Sequence, residues 1–212
     1  MRQIEVALRK LRAFAREGAE RELDLEQTID RTAKNAGELE IVTRPPRRPN
    51  TRVILMMDVG GSMDPYADMM SQLFTAAKRS THWKELRIYY FHNCVYGSVY
   101  PTERFRDPVR ITDLVAECGR HYKLVLVGDA LMAAWELLGS PSFSTSEDAA
   151  SGVASLLYLR EHFERAVWLN PETPRAWPNS TIETIASIFP MFELTLDGLS
   201  DAVGELVRGS RR

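Results

Sequence analysis

Apolar residues along this chain fall into two patterns. Short runs at 53–57, 86–92, 123–127 and 166–169 are almost wholly apolar or aromatic and end in polar or turn-forming residues. Runs of that length and composition predict strands, and the unbroken run at 53–57 a strand buried on both faces. Between them, apolar residues recur every three or four positions, which predicts amphipathic helices. Tyr66, Met69, Met70, Leu73, Phe74 and Ala77 make one such stripe. Residues 112–121, 131–138, 152–164, 180–188 and 199–207 read as further helices, and residues 95–100 and 191–196 as short strands. Asn93-Cys94 is a connection short enough for a hairpin, so residues 95–100 should run antiparallel to 86–92. Strands alternating with helices predict an α/β fold: a doubly wound, mostly parallel six-stranded sheet with one antiparallel strand.

The first fifty residues read differently. Ile4, Val6, Leu8, Leu11 and Phe14 stand among basic residues over 1–18, a moderately amphipathic helix. We expect it to pack on another domain, or to be cut from a longer protein. Glu5, Glu17 and Glu20 dilute its basic face, which argues against membrane-surface binding. Leu23 to Ala36 predicts a second helix ended by Gly37, and residues 39–42 a short extended arm. Residues 44–52 hold three prolines and four arginines. Proline removes donors and biases its predecessor towards extended backbone, so this stretch is a linker or entry arm. The expected division is a helical N-terminal extension with a basic, proline-rich linker over 1–50, and an α/β domain over 51–208.

Composition narrows the function classes. A net charge of -2 over 212 residues gives no global attraction to nucleic acid. No apolar stretch approaches the ~20 residues of a membrane span. The two cysteines, Cys94 and Cys118, lack metal-type spacing, which fits a reduced, cytoplasmic setting.

Candidate chemistry gathers where strands end. Residues 53–57 run into Asp58-Val59-Gly60-Gly61-Ser62, and residues 123–127 into Gly128-Asp129-Ala130. Asp64-Pro65 follows the first of these and suits a helix start. If the two strands are neighbours, both carboxylates and Ser62 converge at one sheet edge. Such oxygens suit a hard divalent cation that keeps several waters, Mg²⁺ or Mn²⁺ alike. The positive end of the following helix opposes a cation, so the carboxylates must outweigh it. The alternative is that Asp58 and Asp129 only cap their loops. Enzyme motifs fit less well. Met63 follows Ser62 where a phosphate-binding loop needs lysine before its hydroxyl, and Asp64 stands where a nucleophile elbow needs glycine. A phosphatase using Asp58 as nucleophile would want a second acid at position 60, which is glycine. His82, His92, His121 and His162 are scattered, and only His92 falls near the site.

Asp58-Val-Gly-Gly-Ser62-Met63 resembles the Asp-x-Ser-x-Ser motif that begins the metal-ion-dependent adhesion site of von Willebrand factor A domains. Val127-Gly-Asp-Ala-Leu-Met132 and Phe192-Glu-Leu-Thr-Leu-Asp-Gly-Leu199 resemble the bacterial CoxE-like group of these domains. The resemblance covers about residues 51–208 and implies their Rossmann-like fold. It assigns Asp129 as the distal aspartate of the site and Thr112 as the loop threonine, with Thr102 second. The implied metal set is therefore Asp58, Ser62, Thr112 and Asp129, holding Mg²⁺ or Mn²⁺. It implies a non-enzymatic interaction module that works beside a MoxR-type AAA+ ATPase in assembling target proteins or inserting their metals. A partner's Asp or Glu would complete the ion's shell. The departure is Gly60, where the family pattern has a ligating serine. Other readings are a metal-dependent phosphatase or hydrolase using Asp58 and Asp129, and a structural subunit whose degenerate site holds no metal.

Overall fold

A computed structural model describes residues 2–9, 11, 14–16, 22–35, 38–44, 47–79, 83–139 and 151–208. The predicted helix stop at Gly37, His82 and most of the serine-rich loop to Glu147 lie outside these residues. The chain begins with α1 (Arg2–Arg9), β1 (Phe14–Arg16), β2 (Glu22–Leu23), α2 (Leu25–Lys34), β3 (Thr43–Arg44) and β4 (Arg47–Pro49). α1 is shorter than the helix expected over 1–18. Its apolar face is spent early: Ala7, Leu8 and, just beyond, Leu11 are buried together with Val53, Leu73 and Leu206. The chain then turns to pair β1 with β4, antiparallel. β2 pairs with β3 in the same sense. Asp24 caps α2, accepting a hydrogen bond from the Gln27 N–H at 3.2 Å and another from Arg44.

The larger part follows as β5 (Thr51–Asp58), a 3₁₀ turn (Gly61–Tyr66), α3 (Ala67–Arg79), β6 (Trp83–Phe91), β7 (Ser98–Val99), β8 (Val109–Arg110), α4 (Ile111–Glu117), β9 (Lys123–Val127), α5 (Ala134–Leu138), α6 (Gly152–His162), β10 (Arg165–Asn170), α7 (Ser180–Ile188), β11 (Met191–Glu193) and α8 (Leu196–Val207). Five strands form one sheet in the order β6-β5-β9-β10-β11, and every pairing is parallel. The fold is α/β, doubly wound and Rossmann-like. The six-stranded count needs correcting. Residues 95–100 join the sheet's hydrogen bonding through one residue pair, in which Tyr90 and Tyr100 exchange backbone hydrogen bonds of 2.7 and 2.9 Å. Their own ladder, β7 with β8, stands apart and is antiparallel. Positive φ at Gly97 (77°) breaks the extended run that a full sixth strand would need.

Each central strand is buried on both faces, as its unbroken apolar run requires. Val53, Leu55 and Met57 face the layer holding α1, α3 and α8, while Ile54 and Met56 face the layer holding α4, α5, α6 and α7. The start of α3 departs from expectation. Asp64 is no N-cap, because Pro65 is absorbed into the 3₁₀ turn and α3 opens at Ala67. The fixed φ of proline suits that tighter turn.

Gly198 shows how closely α8 meets the sheet. A Cβ at this position would lie 2.0 Å from the Glu193 carbonyl oxygen at the end of β11. Backbone rather than a flexible side chain would have to move. We therefore expect Gly198→Ala to cost about 2–3 kcal/mol, the upper range for overpacking, seen as a lower midpoint in urea unfolding.

Candidate metal centre

The strand order reverses between β5 and β9. From β5 the chain moves outward to β6, then crosses back to β9 and continues outward to β10 and β11. Open α/β sheets bind ligands in the crevice at such a switch point, beyond the carboxyl ends of the strands. Asp58 is the last residue of β5, and Gly128-Asp129 follow β9 directly. Met57 pairs with Val127, so Asp58 and Gly128 come next on adjacent strands. The approach is close: a Cβ on Gly128 would lie 3.0 Å from Asp58 Cβ and 3.3 Å from Asp58 Oδ2.

The loop after β9 is held from three sides. Trp168 Nε1 donates to the Gly128 carbonyl at 2.8 Å, Asn170 Nδ2 to the Asp129 carbonyl at 2.9 Å, and Thr181 Oγ1 to the Ala130 carbonyl at 2.8 Å. Ala130 carries a φ of 59°, a left-handed conformation rare outside glycine and sustained here by those bonds. The Asp129 carboxylate closes its own turn, Oδ1 accepting from the Leu131 N–H at 2.9 Å.

Asp58 is 1% exposed. Its Oδ1 accepts from the backbone N–H groups of Gly60 and Asn93 at 2.8 and 2.9 Å. Its Oδ2 is buried with no hydrogen-bond partner among the described residues. Burial pushes the carboxyl up to about 6. The two N–H donors oppose that rise, the Asp129 charge adds to it and His92 counters it. Ser62 is exposed on the 3₁₀ turn four residues beyond Asp58. Thr112 is exposed in the first turn of α4, and among the described residues no interaction joins it to either aspartate. The structure thus brings Asp58 and Asp129 together at the switch point and keeps Ser62 on the same loop as Asp58, but shows no link to Thr112. The 101–108 loop that holds Thr102 also holds Glu103, which lines a groove of about 490 Å³ with Asp58, Gly60, Met63, Phe74 and Tyr90.

Several residues of this region went unread in the sequence. Tyr66 donates to Glu172 Oε1 at 2.6 Å, and the Tyr66 hydroxyl is pushed up to about 12, first by that bond, with Asp129 contributing. Glu172 is placed by Asn170, whose Oδ1 accepts the Glu172 N–H at 2.8 Å. Asn170 is fully buried at the end of an apolar strand, the same signal that marked Asp58. Asn93 is the other omission. Among the described histidines, His121 bonds Arg52, His162 the Cys118 carbonyl, and His92 lies against the Phe105 ring. Cys94 and Cys118 are free and buried, and burial pushes both thiols up, Cys94 to about 12.

These residues fit a hard cation of a particular kind. Among the described residues no group of three or more His, Cys, Asp or Glu side chains could hold an ion. A centre here would rest instead on two carboxylates, neutral oxygens and water, the donor set that suits Mg²⁺ or Mn²⁺. The unpartnered Asp58 Oδ2 is the observation that favours occupancy, since a buried carboxylate oxygen without a donor is costly.

A family model described as a VWA domain containing CoxE-like protein matches residues 1–191. The chain belongs to this family. CoxE-like VWA membership supports a role in protein interaction and assembly in general terms. The match includes α1, which packs within the core described above. No curated protein and no solved structure matches the chain. No helix among the described residues is long and apolar enough to cross a membrane.

Proposed function

We propose that this CoxE-like VWA protein is a non-enzymatic interaction module whose partner contact is completed by a divalent cation. Asp58, Ser62 and Asp129 hold Mg²⁺ or Mn²⁺, with Thr112 the further hydroxyl that the family resemblance assigns. The ion supplies a Lewis-acidic position that a partner's Asp or Glu carboxylate can occupy. The reading rests on one observation above all: Asp58 Oδ2, buried and unpartnered, beside Asp129 at the switch point of the sheet. The chain's own contribution is rigidity. Asp58 Oδ1 is fixed by two backbone donors, and the Asp129 loop is clamped by Asn170, Trp168 and Thr181. The proposed partner is a MoxR-type AAA+ ATPase or its client, in a cytoplasmic assembly or metal-insertion step.

Asp58→Ala tests this. Binding of the purified AAA+ ATPase should be strong with Mg²⁺, at least tenfold weaker with EDTA, and equally weak for the variant in either buffer, while the far-ultraviolet circular dichroism is unchanged. Binding that ignores both EDTA and the substitution would refute the metal-bridged contact. Turnover of a generic phosphate ester with Mg²⁺, lost in Asp58→Asn, would instead make the protein a phosphatase.

A further inference from the structure

The family pattern places a ligating serine where this chain has Gly60, and the structure holds an oxygen at that place from elsewhere. A Cβ built on Gly60 would lie 2.5 Å from Asn93 Oδ1 and 3.2 Å from Asp58 Oδ1. The space that a side chain at position 60 would enter is thus taken by the amide of Asn93. The two residues are complementary: Asn93 can stand there only because position 60 has no side chain. We propose that Asn93 Oδ1 is a ligand of the cation centre, supplied by the turn after β6 in place of the hydroxyl missing at Gly60. The assignment rests on the cation reading above.

Three features carry it. Asn93 is positioned by the site itself, since its backbone N–H donates to Asp58 Oδ1 at 2.9 Å. Its φ of 58° is left-handed, a conformation asparagine tolerates better than most residues, and it turns the chain back at the mouth of the site. The turn is tight, with the Cys94 N–H donating to the His92 carbonyl at 2.6 Å. The amide oxygen makes no hydrogen bond among the described residues and lies beside a carboxylate. Acceptor beside acceptor is unfavourable in an empty site and becomes favourable around a cation. An amide carbonyl is, like a hydroxyl, a neutral hard oxygen suited to Mg²⁺ or Mn²⁺. Parallel pairing of β5 with β6, which sets Asp58 against Phe91, delivers it from a neighbouring strand.

Exchanging the ligands tests the idea, with Mn²⁺ as the probe and isothermal titration as the readout. Asn93→Gly keeps the backbone donor and suits the positive φ, so the fold should persist. It should weaken Mn²⁺ binding about tenfold or more. Asn93→Asp should bind Mn²⁺ as tightly as the wild type or tighter, because it keeps an oxygen and adds charge. The double variant Gly60→Ser with Asn93→Gly should restore most of the affinity, with the serine hydroxyl back in its vacated space. If the wild type binds Mn²⁺ and Asn93→Gly binds it equally well, Asn93 is no ligand and the cation site stands without it. An Asn93→Asp variant as weak as Asn93→Gly would also overturn the assignment, since it would mean that the amide acts as a donor to Asp58. A wild type that takes up no Mn²⁺ at millimolar concentration overturns the cation reading and this assignment together.

Discussion

Replacing Trp168 with alanine should destabilise the protein by about 3–5 kcal/mol, the range for deleting a large buried aromatic side chain. Trp168 is fully buried on β10, with Phe91 and Phe189 rings 6.1 and 6.2 Å away. It joins the helical layer of α6 and α7 to the sheet. Its second role is polar. Nε1 donates to the Gly128 carbonyl, and its Cζ2 lies 3.3 Å from where a Gly128 Cβ would be. Loss of the ring therefore opens a cavity and frees the residue that sets Asp129 beside Asp58. Urea unfolding should show the lower stability. A milder Trp168→Phe variant, which fills most of the cavity but lacks the donor, should lose less stability yet still weaken Mn²⁺ binding. Affinity unchanged in Trp168→Phe would mean that the Gly128 hydrogen bond does not position the site.

The second large effect should come from pH. The folded-state pKa of Asp58 is raised from 3.8 to about 6, chiefly by burial. A raised carboxyl pKa means that ionisation is easier in the unfolded chain. Well below pH 3.8 the group is protonated in both states and costs nothing. As pH rises towards and past 6 the unfolded chain gains, and metal-free protein should lose stability on the order of 3 kcal/mol from this group. A bound cation reverses the preference, because it favours the ionised carboxylate. Saturating Mg²⁺ should therefore cancel most of the loss above pH 6 and have little effect near pH 4. Subtracting the thermal-unfolding curve of Asp58→Asn removes the contribution of other titrating groups. A difference curve that stays flat from pH 4 to 7 without metal would show that Asp58 is solvated and that the burial argument fails.

Sequence alone determined the three central strands, β5, β9 and β10, because a strand covered on both faces must be apolar along its whole length. It also determined that Asp58 and Asp129 end two of them, since a carboxylate closing such a run stands out against it. Helix starts were less legible: Asp64-Pro65 has the composition of a helix start, yet the chain spends those residues in a 3₁₀ turn. The strand at 95–100 was overread, because a local pattern does not report the positive φ at Gly97 that breaks it. Only the tertiary structure decided what surrounds the two aspartates. That β5 and β9 are neighbours follows from strand order, which is fixed by long-range packing of both helical layers and not by any local pattern. The clamp from Asn170, Trp168 and Thr181 spans 40 to 51 residues of sequence. Asn93 lies 35 residues from Asp58 along the chain and meets it only through the pairing of β5 with β6. In the sequence, Gly60 reads as a ligand lost. In the fold it is the space that admits Asn93, because a side chain absent at one position has meaning only beside whatever the neighbouring strand brings to it.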